Sequence, residues 1–278
     1  MILGALGGPD TFGGQAARMM LSRYPEFSGI VYLANSDEAF GAGGSWRSDA
    51  SCVPEQTSKT GFHVSTQRKL VAAQGKLFVL GEITHVYHCG LYVRPGTDPG
   101  SIRRVLGHTG SVNQSRDWVA ANVPQAAIEI VDTHSVGAAT AVAEGDGSLA
   151  AVCTPELGAT LGLQQVAADI DGGSSGHYWA VSPLRDFAPH PTRLVVAGHA
   201  AGDGSVSEML CSLASAGFYA RTIWTEHTGA RMFAQKVVAA LNGTGRLADA
   251  EAALDKYAPD FWLAGAFVSR EQSDDAAQ

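Results

Sequence analysis

The sequence predicts an α/β protein of two modules, on three observations. A strand and helix open the chain and strands and helices alternate from about residue 76 to 185, a proline-containing stretch at 186–192 interrupts them, and the remainder spells strand, helix, strand, strand, helix, strand. The chain has 278 residues, enough for one large domain or two smaller ones, and two is the expectation. Apolar residues make up 45% and charged residues 17%, a balance that folds rather than stays disordered.

Taken in order, "ILGAL" (2–6) reads as a short buried strand. Thr11 is placed to cap a helix whose Phe12, Ala16, Met19 and Met20 fall on one face. The turn "GGPDTFGG" between them has neither a GK[ST] nor a G-x-G-x-x-G pattern, so a nucleotide loop is not expected, although amides at a helix start suit a carboxylate. A plain tight turn is the competing reading. "KLFVLGEI" and "HCGLYV" are strands, followed by a helix near 111–121, the strand "AIEIV", a helix near 135–144 and the strand "LAAVC". Thr154, Pro155 and Glu156 form a cap, a first-turn proline and an early acidic residue for a short helix. This alternation predicts a mainly parallel sheet.

In the second module "RLVVAGH" is a strand, and Val206, Met209, Leu210 and Leu213 recur at helical spacing. "YARTIWTE" and "MFAQKVVAAL" are strands, Leu247, Ala250, Leu254 and Tyr257 mark another helix, and "FWLAGAFV" closes the series. The order is βαββαβ, the ferredoxin-like arrangement. Residues 269–278 read as a frayed tail.

A formal charge of −8 with no lysine- or arginine-rich run argues against a nucleic-acid surface. The apolar runs are short and "MILGALGG" lacks a basic leader, so neither a membrane span nor a signal peptide is expected, and a cytoplasmic location is. Cys52, Cys89, Cys153 and Cys211 are scattered without C-x-x-C and read as reduced, mostly buried thiols. His85 and His88 would point to opposite faces of a strand, which disfavours a shared metal. No cofactor motif is present, and neither cofactor nor metal is expected.

The stretch "DIDGGSSGHYWAVSP" (169–183) sets Gly172, Ser174 and Gly176 in the G-x-S-x-G spacing of a hydrolase nucleophile elbow. An elbow needs a helix after the serine, whereas "HYWAVS" reads as a strand, so a Gly/Ser loop entering a strand is the better description.

Several segments, in order, resemble the prephenate dehydratase family. "LGGPDTF" (6–12) matches its L-G-P-x-G-T-F turn. "VPEQTSKTG" (53–61) matches V-P-x-E-N-S-x-x-G, with Gln56, Thr57 and Ser58 at the E-N-S positions. "GEITHVYHCGLYVRPG" follows the family's G-E-I, histidine strand and P-G. "GHTGSVNQSR" (107–116) follows S-H-P-Q-x-x-x-Q-C-R with Gln114 and Arg116 retained and Gly107 replacing the serine. The resemblance extends over nearly the whole chain. It implies a two-lobed, periplasmic-binding-protein-like (type II) catalytic domain with mixed sheets at 1–185, a linker at 186–192, and an ACT-type regulatory domain at 193–268. It also implies a homodimer or higher assembly through the latter, and a small-molecule substrate, prephenate or a similar cyclohexadienyl acid.

One motif departs from the family. Where it has D-N-P-N-N-x-T-R-F, this chain has His177, Tyr178 and Trp179 at T-R-F. Prephenate carries a ring carboxylate and a pyruvyl group on one quaternary carbon, with a hydroxyl across the cyclohexadiene ring. Dehydration expels carbon dioxide and that hydroxyl together, and the family's threonine is held to assist the leaving oxygen. Loss of the motif favours decarboxylation with the hydroxyl retained and a ring carbon protonated. On that reading His177, with Trp179 on its face of the strand, is the expected proton donor or hydroxyl-orienting group. Thr57, Ser58 and Gln114 hydrogen-bond the ring carboxylate or hydroxyl, Thr11 and nearby amides hold a carboxylate, and Arg116 pairs with the pyruvyl carboxylate. Gln56, Ser175, Tyr178 and Trp179 complete the expected substrate contacts. A packing role for His177 and a solvated Arg116 stand as the structural alternatives. A dehydratase, or a binding protein without turnover, stands as the functional one. "GDGSVSEM" and "TIWTEHT" replace the G-A-L and E-S-R-P motifs of the family's phenylalanine site, which is therefore expected to be altered or absent.

Overall fold

Two sheets organise the chain in a computed structural model that describes residues 1–41, 44–131, 135–202 and 204–271. The first lobe contains β1 (Ile2–Leu6), α1 (Phe12–Arg23), β2 (Gly29–Leu33), α2 (Ser36–Ala39), β3 (Ala50–Thr57), β4 (Gly61–Phe62), α3 (Val64–Ala72) and β5 (Phe78–Val86). The second lobe contains β6 (Gly90–Val93), β7 (Arg104–Gly107), α4 (Thr109–Asn122), β8 (Ala127–Ile130), α5 (Ser135–Glu144), β9 (Leu149–Cys153), α6 (Pro155–Thr160) and β10 (Gln164–Ala167). The chain then returns to the first lobe as β11 (Ser175–Ser182). The rest is β12 (Arg193–Ala200), α7 (Ser205–Ser215), β13 (Phe218–His227), β14 (Gln235–Gly243), α8 (Leu247–Leu254) and β15 (Phe261–Phe267).

The predicted caps form. Thr11 accepts from the Gly14 amide at 3.2 Å, and Thr154 accepts from Leu157 at 3.3 Å ahead of Pro155. The helix expected near 111–121 begins earlier, at Thr109, because His108 caps it from Nδ1.

The second lobe's sheet runs β10-β6-β9-β7-β8, with β7 parallel to β8 and β9. The larger sheet runs β13-β14-β12-β15-β5-β11-β3-β1-β2, with β4 paired to β3. It is mostly antiparallel rather than mainly parallel, because β11 comes back between β5 and β3 against both of them. The βαββαβ module has the order β13-β14-β12-β15, the ferredoxin-like arrangement. It is not a detached body. Gly265 of β15 pairs with Val79 of β5, and one apolar cluster joins Leu70, Val71 and Trp179 to Val195, Trp224, Val238 and Phe267. The stretch 186–192 is also docked: Ala188 and Thr192 donate to Ala266 and Phe267, and Phe187 packs on two clusters. The segment read as a frayed tail begins with three bonded residues. Ser269 donates to Glu82, Arg270 to the carbonyl of Arg23, and the Glu271 carboxylate accepts from Thr84. Its remainder, 272–278, lies outside the described residues.

The lobes are joined by two crossings, residues 87–89 and 168–174. These are bonded to each other through Tyr87 N to Ser174 O (2.8 Å), Ile170 N to Cys89 O (2.9 Å) and Cys89 N to the buried Asp171 carboxylate (2.7 Å). The second crossing turns at Gly172 and Gly173, whose φ angles of +65° and +72° suit glycine. Cys52, Cys89 and Cys153 are buried and Cys211 is exposed, all as free thiols. Among the described residues no helix is long and apolar enough to cross a membrane.

Candidate active site

A cavity of about 390 Å³ opens between the two lobes, within the size range of small-molecule sites. The first residues of several helices converge on it: Phe12 and Gly13 of α1, Ser65 and Thr66 of α3, Gly110 and Ser111 of α4, and Ser135 of α5. A helix start carries unpaired amides and roughly half a positive charge, so convergent starts favour an anion. Among the described residues no lysine, arginine, aspartate or glutamate lines the cavity. The described residues thus offer a ligand backbone amides and uncharged polar side chains, against apolar walls such as Leu6, Phe40 and Val53.

Four of the residues singled out from the sequence meet here: Thr11, Thr57, Gln114 and Tyr178. The Thr11 hydroxyl is committed to its cap and to the Gly8 carbonyl at 2.8 Å. Gln114, 2% exposed, donates from Nε2 to Thr57 Oγ1 at 3.2 Å, and Thr57 shares a 2.6 Å contact with Thr60. Gln114 Oε1 is buried without a partner. Buried amide oxygens are rarely left so, and this one belongs to a side chain that lines the cavity. Tyr178 OH lies 2.9 Å from Tyr87 OH, and the Phe12 ring stacks on Tyr87 at 4.0 Å. Burial holds both phenols above the ordinary tyrosine range. No side chain fits at Gly176, because a Cβ there would stand 1.8 Å from Tyr87 OH.

The other expected contacts lie elsewhere. Ser58 is exposed and accepts from the Ser175 amide at 2.9 Å, so these two close the β3–β11 edge instead of meeting a ligand. Gln56 pairs in register with Phe62 and does not line the cavity, and Arg116 is exposed on α4. Trp179 is 1% exposed in the core shared with the second module.

The principal correction concerns His177. Strand alternation puts it with Trp179 as expected, but that face looks away from the cavity, and Tyr178 looks in. His177 Nδ1 is 3.2 Å from Glu55 Oε2. Its Nε2 is 3.2 Å from Glu82 Oε2, an ion-pair contact outside hydrogen-bond alignment. Burial pushes the imidazole pKa down, but the contacts and charges of Glu55 and Glu82 outweigh that and raise it to about 9. Glu82 in turn bonds Arg193 at 2.6 Å, Arg221 at 3.2 Å and Ser269 at 2.7 Å. Burial raises the pKa of its carboxyl, yet the His177 contact and charge and the Arg193 charge hold it at about 2. His177 thus lies buried between two carboxylates, linking β3 to β5 and, through Glu82 and Arg193, to the second module. The ligand atoms of Glu82, His177 and Glu271 lie within 4.8 Å of one another, the spacing of a metal site. In this structure, however, the same atoms are engaged in ion pairs, His177 with Glu55 and Glu82, and Glu82 with two arginines.

The serine of the G-x-S-x-G stretch is structural too. Ser174 is 2% exposed, and its amide and hydroxyl both donate to Asp171, at 3.1 and 3.2 Å. His85 and His88 have separate partners, Gln15 at 2.7 Å and Asp169 at 2.9 Å. Two cavity histidines escaped the sequence reading, His63 before α3 and His108 before α4. The signal that could have found them is their place at helix starts, where cavity groups collect. Burial and the nearby charge of His108 lower the pKa of His63.

Fold and cavity together define a two-lobed protein with a cavity between its lobes, sized for a small molecule and lined by helix starts that suit an anion. A family model described as prephenate dehydratase matches residues 3–177, and the chain belongs to that family. Similar proteins include a prephenate dehydratase of Mycobacteroides abscessus, 30% identical over 61% of this chain and 56% of its own length. One of Amycolatopsis methanolica is 27% identical over 74% of this chain and 67% of its own. The matched region thus spans little more than half of the first of these relatives. Among solved structures, an Arthrobacter aurescens prephenate dehydratase in complex with L-Phe superposes with a TM-score of 0.78 at 25% identity. It covers 96% of this chain and 90% of that one. A protein described as a quorum quenching acylase shares the fold, with a TM-score of 0.75 at 18% identity over 97% and 98% of the two chains.

Proposed function

We propose that the chain is a lyase that decarboxylates prephenate without aromatising the ring, leaving a dihydro-4-hydroxyphenylpyruvate. The observation that carries this reading is the face β11 turns to the cavity. At the positions of the family's threonine and arginine, His177 is withdrawn between Glu55 and Glu82, and only Tyr178 faces the ligand. The threonine that assists the leaving hydroxyl has no replacement from its own position.

The remaining groups suit the other outcome. Helix starts supply donors for carboxylates, and among the described residues no lysine or arginine lines the cavity to anchor the carboxylate that leaves. Loss of carbon dioxide leaves the electron pair delocalised over the ring carbon that bore it and the two conjugated carbons. A proton placed on one of the conjugated carbons gives a non-aromatic diene that keeps its hydroxyl. Gln114 Oε1, a buried acceptor with no protein partner, suits that hydroxyl as a donor; the O–H then points toward the protein, and its oxygen receives no second proton with which to leave as water.

A second reading, dehydration to phenylpyruvate, is favoured by family membership and by the Tyr178 phenol, a possible donor to the departing oxygen. Incubation of the purified protein with prephenate separates the readings. Carbon dioxide release without aromatic product supports the first, and phenylpyruvate formed faster than in a protein-free control supports the second. Binding without any turnover would indicate a non-catalytic protein.

The βαββαβ module is proposed to be of ACT type and to pair two chains. Its outer strand, β13, is a ten-residue sheet edge with Tyr219 and Ile223 exposed. Light scattering should give the mass of a dimer, and a monomer at micromolar concentration would refute the assembly.

A further inference from the structure

Decarboxylation without dehydration needs a proton at carbon, and the cavity limits where that proton can come from. Among the described residues only four lining side chains titrate: His63, His108, Tyr87 and Tyr178. The two phenols bond each other, and giving up a proton would leave a phenolate in a buried setting that already disfavours it. His108 Nδ1 is engaged with the Gly110 amide as the cap of α4. His63 holds the equivalent place before α3, but its ring makes no cap bond, and none of its ring contacts to another described residue is a hydrogen bond. Its backbone is fixed on both sides: its amide donates to Glu55 O at 2.7 Å, and its carbonyl accepts from Thr66 at 2.9 Å and Gln67 at 3.3 Å. The result is an imidazole on a rigid mount at the cavity wall, with no hydrogen-bond partner among the described residues for either ring nitrogen.

We infer that His63 carries the proton that quenches the ring after carbon dioxide leaves; this rests on the decarboxylating reading. Burial and the charge of His108, which also lines the cavity, lower the pKa of His63 and so favour the neutral imidazole. The Glu55 carboxylate is turned to His177, and burial keeps the Tyr87 and Tyr178 phenols protonated, so among the described residues no anion lines the cavity. A dianionic substrate reverses the balance, and the imidazole takes up a proton as the substrate binds. The carbon–carbon bond to the carboxylate then breaks, its electron pair passes into the ring, and a conjugated ring carbon takes the proton from the imidazolium. Dianion plus proton become carbon dioxide plus a monoanion, and His63 returns to neutral. No oxidant, metal or co-reactant enters the balance.

The test compares wild type with His63→Gln on prephenate, reading products by proton NMR and proton uptake by calorimetry in two buffers of different ionisation enthalpy. The expected result is kcat lowered about 100- to 10,000-fold with KM changed less than about threefold, and loss of the proton taken up on binding. Melting temperature and circular dichroism should match the wild type, because the side chain caps nothing. If wild type makes the non-aromatic product and His63→Gln makes it as fast, the inference is overturned and the decarboxylase reading survives. If wild type makes only phenylpyruvate, that reading falls and the inference with it. Proton uptake by wild type alone gives a check that does not depend on the variant: an uptake of zero contradicts the role.

Discussion

Replacing His177 by alanine is expected to lower the unfolding free energy by about 3–5 kcal/mol, the cost of stripping a buried ion pair of one partner. Glu82 would keep Arg193 and Arg221, but Glu55, 2% exposed, would keep only the Gln67 amide. The damage therefore centres on Glu55, and the double substitution Glu55→Gln with His177→Gln should recover most of it, since it removes both charges together. Urea unfolding measures both. The pH dependence carries a sign. The imidazole pKa is raised on folding from 6.5 to about 9, so its contribution, roughly 3 kcal/mol, is complete below pH 6.5 and is lost as pH rises through 9. Glu82, held at about 2 in the fold, gives stability that is complete above pH 4.5 and is lost as pH falls through 2. The alkaline loss should be absent from His177→Ala. An unfolding curve unchanged by the substitution would return His177 to the list of candidate catalytic groups.

Gln114→Leu should act on turnover. Leucine keeps the approximate volume, removes the donor to Thr57 and removes Oε1, a buried acceptor with no protein partner. Stability should change by no more than about 1 kcal/mol, because Thr57 Oγ1 retains Thr60. If Oε1 holds the substrate hydroxyl, kcat/KM should fall by about 10- to 100-fold, the worth of one buried hydrogen bond. The small yield that remains should shift toward phenylpyruvate, as the hydroxyl is freed. Steady-state kinetics with product analysis reads both effects, and unchanged kinetics would remove Gln114 from the site.

Much of the fold was legible because local rules and tertiary packing agree. Thr11 and Thr154 cap helices as their sequences imply, and the βαββαβ order appears strand for strand. The direction of the large sheet was not legible, since β11 finds partners about 90 and 125 residues away in β5 and β3, and no local pattern encodes which gap it fills. The site shows the same division. Period-two alternation correctly groups His177 with Trp179 and sets Tyr178 opposite, but it does not say which face meets the cleft. That is fixed by the Glu55 and Glu82 carboxylates on the neighbouring strands, which need a buried cation between them. Ordered motifs placed Thr57 and Gln114 together, from residues 57 apart, because the family likeness supplies the tertiary contact. His63 belongs to none of the quoted motif positions, and only the convergence of helix starts brings it to the cavity.

The central claim is that the proton goes to ring carbon and the hydroxyl stays, and one experiment reads both. Purified protein is given prephenate in deuterium oxide, at a pH where spontaneous aromatisation is slow, and the product is followed by NMR. The account predicts olefinic ring signals, a retained carbinol proton and one deuterium on a ring carbon. Phenylpyruvate with five aromatic protons and no ring deuterium, formed faster than in the protein-free control, would contradict it.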